Sequence, residues 1–501
     1  MSEPGLRTDL EASCFRATDI YILTMLFIFP LFTGFEGYAN ITLAKYIFFA
    51  TVTALWLAAL IIFKLRSGIL RGKNAPMAAV PLILIYFVLN CVSALFSPYA
   101  ESVLLGAGRF DGLITTVLCV GIFWGVSLYA RLKKAYIFMA AAAVTINCVV
   151  AVLQIFGLNP LWLFPGDYDF FDAGIKFTST FLGTIGNADL FSAYICLILP
   201  VIILFYITSE RRSSIFLPVI TLNAFCLFSC GVSAGILAFF ATALLAAPVV
   251  INSGDRLRRT LEAAAAVSIA VFIAASLKIS ENATLVSVSF VFSFWPVCLA
   301  GLTAVFVALR ILLRNSEFGP NPMKLFFSLL SASLVITGLT AVYFWKAGEG
   351  TVYEFSRVLH GELEDSFGSS RILIWRKTLK LVPESLWLGG GPGTLAQRLD
   401  INFSRFVEET GKTLTSSVDN AHNEYLGILV NTGLLSLLAY LAAQILSFVR
   451  AVRSEAAAVC LAFALLCYWV QSFFGLGLFL VSPLMWLLWG LLSAELRTSK
   501  N

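Results

Sequence analysis

Histidine is almost missing from this chain: its 501 residues include two, His360 and His422. Charge is scarce as well, at 13% of residues, where soluble domains usually carry about 25%. Hydrophobic residues make up 59%, more than a soluble core needs, so a lipid bilayer is the expected solvent. No His-Glu-x-x-His motif occurs, and two histidines 62 positions apart give little support to a zinc site. Cysteine is not rare, with ten residues, but all except Cys14 fall in apolar runs. That placement argues against a disulfide framework or a thiolate metal site and for small buried packing groups. The net charge of +5 is small, and no nucleic-acid partner is expected. Two acidic groups, Asp167 and Asp169 with Asp172, and Glu362, Glu364 and Asp365, could hold a hard cation. They read better as solvated loop charge, so neither a metal nor a cofactor is expected.

What the chain does have is long apolar runs. Spans of roughly 17 to 25 residues are required to cross a bilayer. Apolar runs of that kind fall near 19–35, 43–63, 77–97, 113–130, 136–156, 188–208, 214–230, 233–251, 261–279, 288–309, 325–345, 423–449, 455–475 and 478–495. The fold class is therefore all-α, a polytopic membrane helix bundle of about fourteen transmembrane helices with a large, partly helical external loop. The first residues are polar and lack a signal peptide's short apolar stretch and cleavage site, so the first helix is expected to stay. Lys64, Arg66, Arg71 and Lys73 fall in one inter-span loop, and Arg131, Lys133 and Lys134 in the next but one. Arg211 and Arg212, then Arg256, Arg258 and Arg259, then Arg314 and Lys324, then Arg450 and Arg453, then Arg497 and Lys500 continue the alternation. By the positive-inside rule these segments and both termini are cytoplasmic. The long polar segment 346–421 is then external. The expected organisation is a bundle over 1–345, an external catalytic loop over 346–421 and C-terminal spans over 422–501.

Connections of this length are usually functional, and 346–421 has helical texture. Ser369 and Ser370 could cap a helix running from 371 to 382, with Pro383 ending it. Arg371 would open that helix with Trp375 one turn later on the same face, and Arg376, Lys377 and Lys380 on a neighbouring face. Such cations can clamp a phosphate or diphosphate; equally, they can snorkel from an interfacial helix. The turn Gly389-Gly390-Gly391-Pro392-Gly393 lacks the Lys-Ser/Thr of a nucleotide-binding loop. His422 stands where the loop re-enters the membrane. Asp419 or Asn420 could cap the next helix and place His422 in its first turn, where the dipole disfavours imidazolium and suits general-base work. The alternative is a polar residue ending a loop at the interface. Arg109, with Asp111 as its candidate ion-pair partner, and Asn187 with Asp189 lie at span ends, where polar groups are often functional.

Four motifs occur in order: Gly108-Arg109-Phe110-Asp111-Gly112; Gly183-Thr184-Ile185-Gly186-Asn187; Ser369-Ser370-Arg371 through Trp375 with the glycine turn; and His422-Asn423-Glu424-Tyr425-Leu426 followed by Gly433-Leu434-Leu435. Together, from about residue 80 to 445, they resemble the O-antigen ligase and O-antigen polymerase superfamily. The resemblance implies a metal-independent glycosyltransferase of the bacterial plasma (inner) membrane. Its donor would be a glycan on undecaprenyl diphosphate, and its acceptor a hydroxyl of a lipid, polysaccharide or protein; membrane lipids surround it. Arg371 matches the family's loop arginine and His422 its loop histidine, and these two are the expected catalytic residues. Arg109, Asn187, Trp375, Arg376, Asn423 and Tyr425 are the expected substrate-binding residues. One departure is visible. Many members carry Ser-Arg-Gly at the end of a mid-chain helix, where this chain has Ser233-Ala234-Gly235; either Arg109 or Arg376 substitutes, or the donor sits differently. The competing class is a transporter or flippase of lipid-linked oligosaccharide or of a small anion, although no internal repeat supports it.

Overall fold

The computed structural model describes residues 4–67, 79–164, 181–209, 213–276, 320–346, 348, 350–407 and 412–498. The expected span at 288–309 and the acidic group at Asp167, Asp169 and Asp172 lie outside the described residues. The fold is a helix bundle with one small hairpin. In chain order the helices are α1 (Pro4–Leu23), α2 (Ile41–Ser67), α3 (Ala79–Leu95), α4 (Leu113–Tyr129), α5 (Lys134–Ile155), α6 (Ala188–Thr208), α7 (Phe216–Ser229) and α8 (Ser233–Val250). They continue as α9 (Gly254–Ser276), α10 (Pro320–Tyr343), α11 (Thr351–Leu359), α12 (Phe367–Lys380), α13 (Glu424–Thr432), α14 (Leu434–Ala451), α15 (Ala456–Ser472) and α16 (Ser482–Thr498). Strands β1 (Asn402–Val407) and β2 (Lys412–Ser417) pair antiparallel, with Asn402 opposite Ser417. Seven of the described helices are long and apolar enough to cross a membrane, and four shorter ones, of 10–17 residues, are also apolar. The protein is a multi-pass membrane protein.

Helix α6 is the axis of the bundle: 89% of its most apolar window is buried, against none of the corresponding window in α10. It packs on α15, α7, α5, α8 and α9. Around it α4 packs on α16, and α3 on α14. Aromatic side chains fill the contacts; Tyr194, Tyr440, Tyr468 and Trp489 are completely or almost completely buried. The first helix shows how the bundle satisfies its own backbone in lipid. Past α1 the chain continues through a wide π-turn, Thr24–Ile28, and a last turn containing Pro30. The carbonyls freed there are met by Lys45 Nζ, at 3.0 Å from Phe29 O and 2.9 Å from Pro30 O, and by the Thr184 hydroxyl at 2.8 Å from Pro30 O.

Two sequence expectations change. The run 423–449 is two helices, α13 and α14, broken at Gly433, whose φ is +87°. A Cβ there would collide with the backbone of Trp387, so only glycine fits both the dihedral and the approach. The glycine-rich turn supplies what the break needs. Gly390 N–H donates to Val430 O at 3.0 Å, Gly391 N–H to Asn431 O at 2.8 Å and Leu434 N–H to Leu386 O at 2.8 Å. Arg398 adds bonds to Val430 O at 3.0 Å and to Asn431 Oδ1 at 2.6 Å. The end of α13 is thus capped by the polar segment, which is pinned to the bundle there. Second, α16 begins at Ser482 rather than near 478, so 473–481 is a loop rather than a tight turn. That loop contributes to the site below.

Candidate functional site

Four distant segments meet at one end of the bundle. Helix α12 docks there through two residues one turn apart. Arg371 donates from Nε to Phe474 O at 3.1 Å and from Nη1 to Gly368 O at 2.8 Å. Trp375 donates from its indole to Ala421 O at 3.0 Å, and its ring packs against Phe473 and Phe474 with centroids 5.7 and 6.1 Å away. Ala421 precedes His422, so Trp375 fixes the entry to the histidine. The free end of the Arg371 guanidinium faces Asp189 in the first turn of α6, Nη2 to Oδ2 4.0 Å. The side chains are about a fifth and a third exposed, which keeps the charges partly desolvated.

His422 is not in the first turn of α13. The N-cap is Asn423, whose Oδ1 accepts the Leu426 N–H at 3.0 Å, and His422 stands one residue before it. Its own N–H donates to Asn420 Oδ1 at 3.0 Å, an Asx turn that leaves the imidazole outside the helix. Among the described residues no hydrogen bond engages the ring nitrogens. Burial is the first cause lowering the His422 pKa below the ordinary imidazole value; the Arg371 and Arg109 guanidiniums lower it further, while Asp189 and Asp419 oppose them. The ring is therefore neutral at pH 7 and has a lone pair to offer.

Arg109 reaches the cluster from the 97–112 segment. Its partner is Asp419, not Asp111: Nε lies 2.6 Å from Oδ2 and Nη2 3.2 Å from Oδ1, a two-pronged grip across 310 positions. Asp111 turns inward instead, against the turn that holds Gly106 and Gly393. Burial pushes its carboxyl up to about 6, with Asp419 adding to the rise and Arg109 opposing it.

Backbone geometry marks the same place. Six non-glycine residues among those described have φ in the left-handed region, and four of them are Phe110, Ser369, Ser370 and His422. They flank Arg109 and Arg371 and include the histidine itself. Each such conformation costs roughly 1–3 kcal/mol and persists where surrounding structure enforces it. Ser369 and Ser370 therefore do not cap the helix with their side chains; they form a left-handed kink, after which the right-handed run starts at Arg371.

The remaining sequence candidates are placed as follows. Asn187 caps α6, accepting the Leu190 N–H at 3.1 Å. Asn423 is a cap, and the Tyr425 hydroxyl donates into the bundle to Trp469 O at 2.8 Å. Arg376 points away from the cluster and pairs with Asp365 at 2.7 Å, with both side chains about half exposed. Glu362 and Glu364 both pair with Arg357. Ala234 lies near the start of α8, where the Ser233 and Thr351 hydroxyls are 3.5 Å apart. Two carboxylates, Asp189 and Asp419, were absent from the expected site. Asp189 carried one usable signal, an ionisable group at the edge of an otherwise apolar span.

Comparison with curated proteins and with solved structures returns no match. Residues 218–441 match the family model described as O-antigen ligase. The matched stretch contains Arg371, Trp375, Arg376, His422, Asn423 and Tyr425, together with the glycine-rich turn and the break at Gly433. Over residues 218–441 the chain is similar to the O-antigen ligase family, in line with the resemblance its motifs carry.

Proposed function

We propose that the chain transfers a glycan from undecaprenyl diphosphate to an acceptor hydroxyl, with inversion at the anomeric carbon, at the outer face of the bacterial inner membrane. The observation that supports this reading is convergence. An unprotonated histidine with free ring nitrogens sits beside two arginines, and all three are delivered by separated segments that carry the family motifs. His422 takes the acceptor O–H proton as the acceptor oxygen bonds to the anomeric carbon. The bond from that carbon to the carrier's diphosphate breaks, and its electron pair leaves on the diphosphate oxygen. Arg371 meets the growing negative charge there, a role suited to a planar, permanently charged donor. Arg109 replaces the missing mid-chain arginine from across the cluster, and Trp375 holds the histidine's approach. The two arginines supply the positive charge that the leaving group requires, so the reading needs no metal.

Both termini are cytoplasmic in this reading and 346–421 is external, as the alternating basic loops require. The test is reconstitution of the full chain with a lipid-linked glycan and separate lipid, polysaccharide and protein acceptors. Release of undecaprenyl diphosphate with one acceptor, undiminished by EDTA, is the expected result. Loss of transfer with EDTA, restored by Mg²⁺ or Mn²⁺, overturns the metal-independent mechanism. Uptake of the glycan carrier across the bilayer without transfer overturns the enzyme in favour of a transporter.

A further inference from the structure

A cleft of about 340 Å³ opens at the end of the bundle opposite His422. Its walls come from the C-terminal ends of α6 and α8 and from the turns entering α9 and α15, with Thr208, Asn252, Arg256, Arg453 and Val459 among the lining. Helix α6 sets the separation: Asp189 in its first turn faces Arg371, and Thr208 is its last residue. At 1.5 Å per residue the two ends are roughly 30 Å apart, so the cleft is not part of the site already described.

Three features give the cleft a chemical preference. Arg256 and Arg453 line it, and neither has an ion-pair partner among the described residues. The nearby Arg258 and Arg259 both turn to Asp255, at 3.8 and 2.9 Å. Two helix starts border the cleft: its lining residue Asn252 stands two positions before α9, which begins at Gly254, and α15 begins at the lining residue Ala456. Their first turns present backbone N–H groups and the positive ends of their dipoles. Finally, Val249, Val250, Val452 and Val459 make the other wall apolar. Two guanidiniums without an ion-pair partner among the described residues, that of Arg256 donating only to Val250 O at 3.4 Å, select a phosphate beside a helix start, and an apolar wall selects one carried on a lipid.

We propose that this cleft binds the phosphate of an anionic phospholipid headgroup, gripped by Arg256 and Arg453 with its glycerol end against the valines. On the topology argued above the lipid belongs to the cytoplasmic leaflet, where anionic headgroups and basic residues attract one another.

The test uses the full-length chain in a neutral detergent with phosphatidylcholine. Phosphatidylglycerol is titrated in and the unfolding midpoint is followed, since a ligand of the folded state raises it. A saturable rise is expected for the native chain. Its apparent affinity should weaken by at least about tenfold, some 1.4 kcal/mol, in the Arg256→Gln/Arg453→Gln double variant. Arg258→Gln removes the same charge from the same surface but from a residue outside the cleft, and should change the affinity by less than about twofold. If the double variant fails to fold, Arg453→Gln alone, an exposed position on a turn, reports instead with the same direction. Inorganic phosphate in place of the lipid separates the sources. A matching saturable rise makes free phosphate the ligand of the same two arginines and overturns the lipid assignment. A response that never saturates, or equal weakening in Arg258→Gln and the double variant, overturns the cleft altogether.

Discussion

The two ends of the 346–421 segment contain the same residue types and use them differently. Near its start, His360 bonds Ser356 O at 2.8 Å and stacks on Tyr343 with centroids 4.2 Å apart. Arg357 and Arg376 pair with Glu362, Glu364 and Asp365, all within the same stretch of chain and largely in water. At its end, His422 has no ring partner among the described residues, and the arginines beside it pair across the fold, Arg371 with Asp189 and Arg109 with Asp419. Short-range exposed pairs are what a solvated loop makes for itself and are worth about 0–1 kcal/mol. Pairs that draw in two other segments and leave a neutral base between them require the whole fold. The contrast separates the charges that pair within the loop from those that tie it to the rest of the fold around His422.

Among changes around the base, the largest effect should come from removing the cation beside it. Arg371→Ala is expected to lower turnover by about 3–4 kcal/mol of transition-state stabilisation. Lysine should restore little, because an ammonium cannot bond Phe474 O and Gly368 O and still face the donor. Steady-state transfer at matched protein levels checks this; wild-type turnover in Arg371→Lys would count against a two-pronged grip.

Next in size is the hinge between α13 and α14. Gly433→Ala should destabilise the chain by roughly 1–3 kcal/mol through its left-handed φ alone, with further loss from the collision at Trp387. Thermal unfolding in detergent measures it. An unchanged midpoint would mean that α13 and α14 can form one continuous helix, as the sequence alone suggested.

A smaller and more selective effect is on pH dependence. Catalysis in this account needs neutral His422, whose folded pKa is depressed. Activity should therefore persist below the ordinary imidazole value and fall only as pH drops through the lowered pKa. Arg371→Gln removes a depressing charge, so the acid limb of its residual activity should move to higher pH. Asp189→Asn removes an opposing charge and should move the limb the other way. Limbs that coincide in all three proteins would sever His422 from the profile.

The smallest effect should be at Arg376. It shares α12 with Arg371 but faces Asp365 in water, so Arg376→Gln should cost no more than about 1 kcal/mol in turnover or stability. A loss approaching that of Arg371→Ala would erase the distinction between the two faces.

The bundle was legible in the sequence because burial in lipid demands long apolar runs, and α2 to α10 follow those runs, while α1 begins at Pro4, well before the expected run at 19–35. The break at Gly433 was not legible: Leu434 and Leu435 continue the apolar pattern, and only the approach of Trp387 and Gly390 from forty residues earlier forces the turn. The hairpin β1–β2 was missed for a related reason, since a lone hairpin has no core-facing stripe to mark it. At the site, Arg371, Trp375 and His422 were legible as motif residues. Their partners were not, because Asp189 and Asp419 lie far from them in sequence and local spacing favours Asp111 for Arg109. Asn423 and Tyr425 stood next to the histidine and were read as sugar contacts; one caps α13 and the other bonds Trp469 O inside the bundle.

The central claim, that His422 is the base and the rest of the segment holds it in place, is tested most directly by comparing the two histidines. His422→Ala and His360→Ala, reconstituted at equal levels with a lipid-linked glycan and an accepted hydroxyl, differ in this account by roughly 10²–10⁴-fold in turnover. His360→Ala should stay near the native rate and both variants should bind the donor. Native-like transfer by His422→Ala, or equal losses in the two, would contradict it.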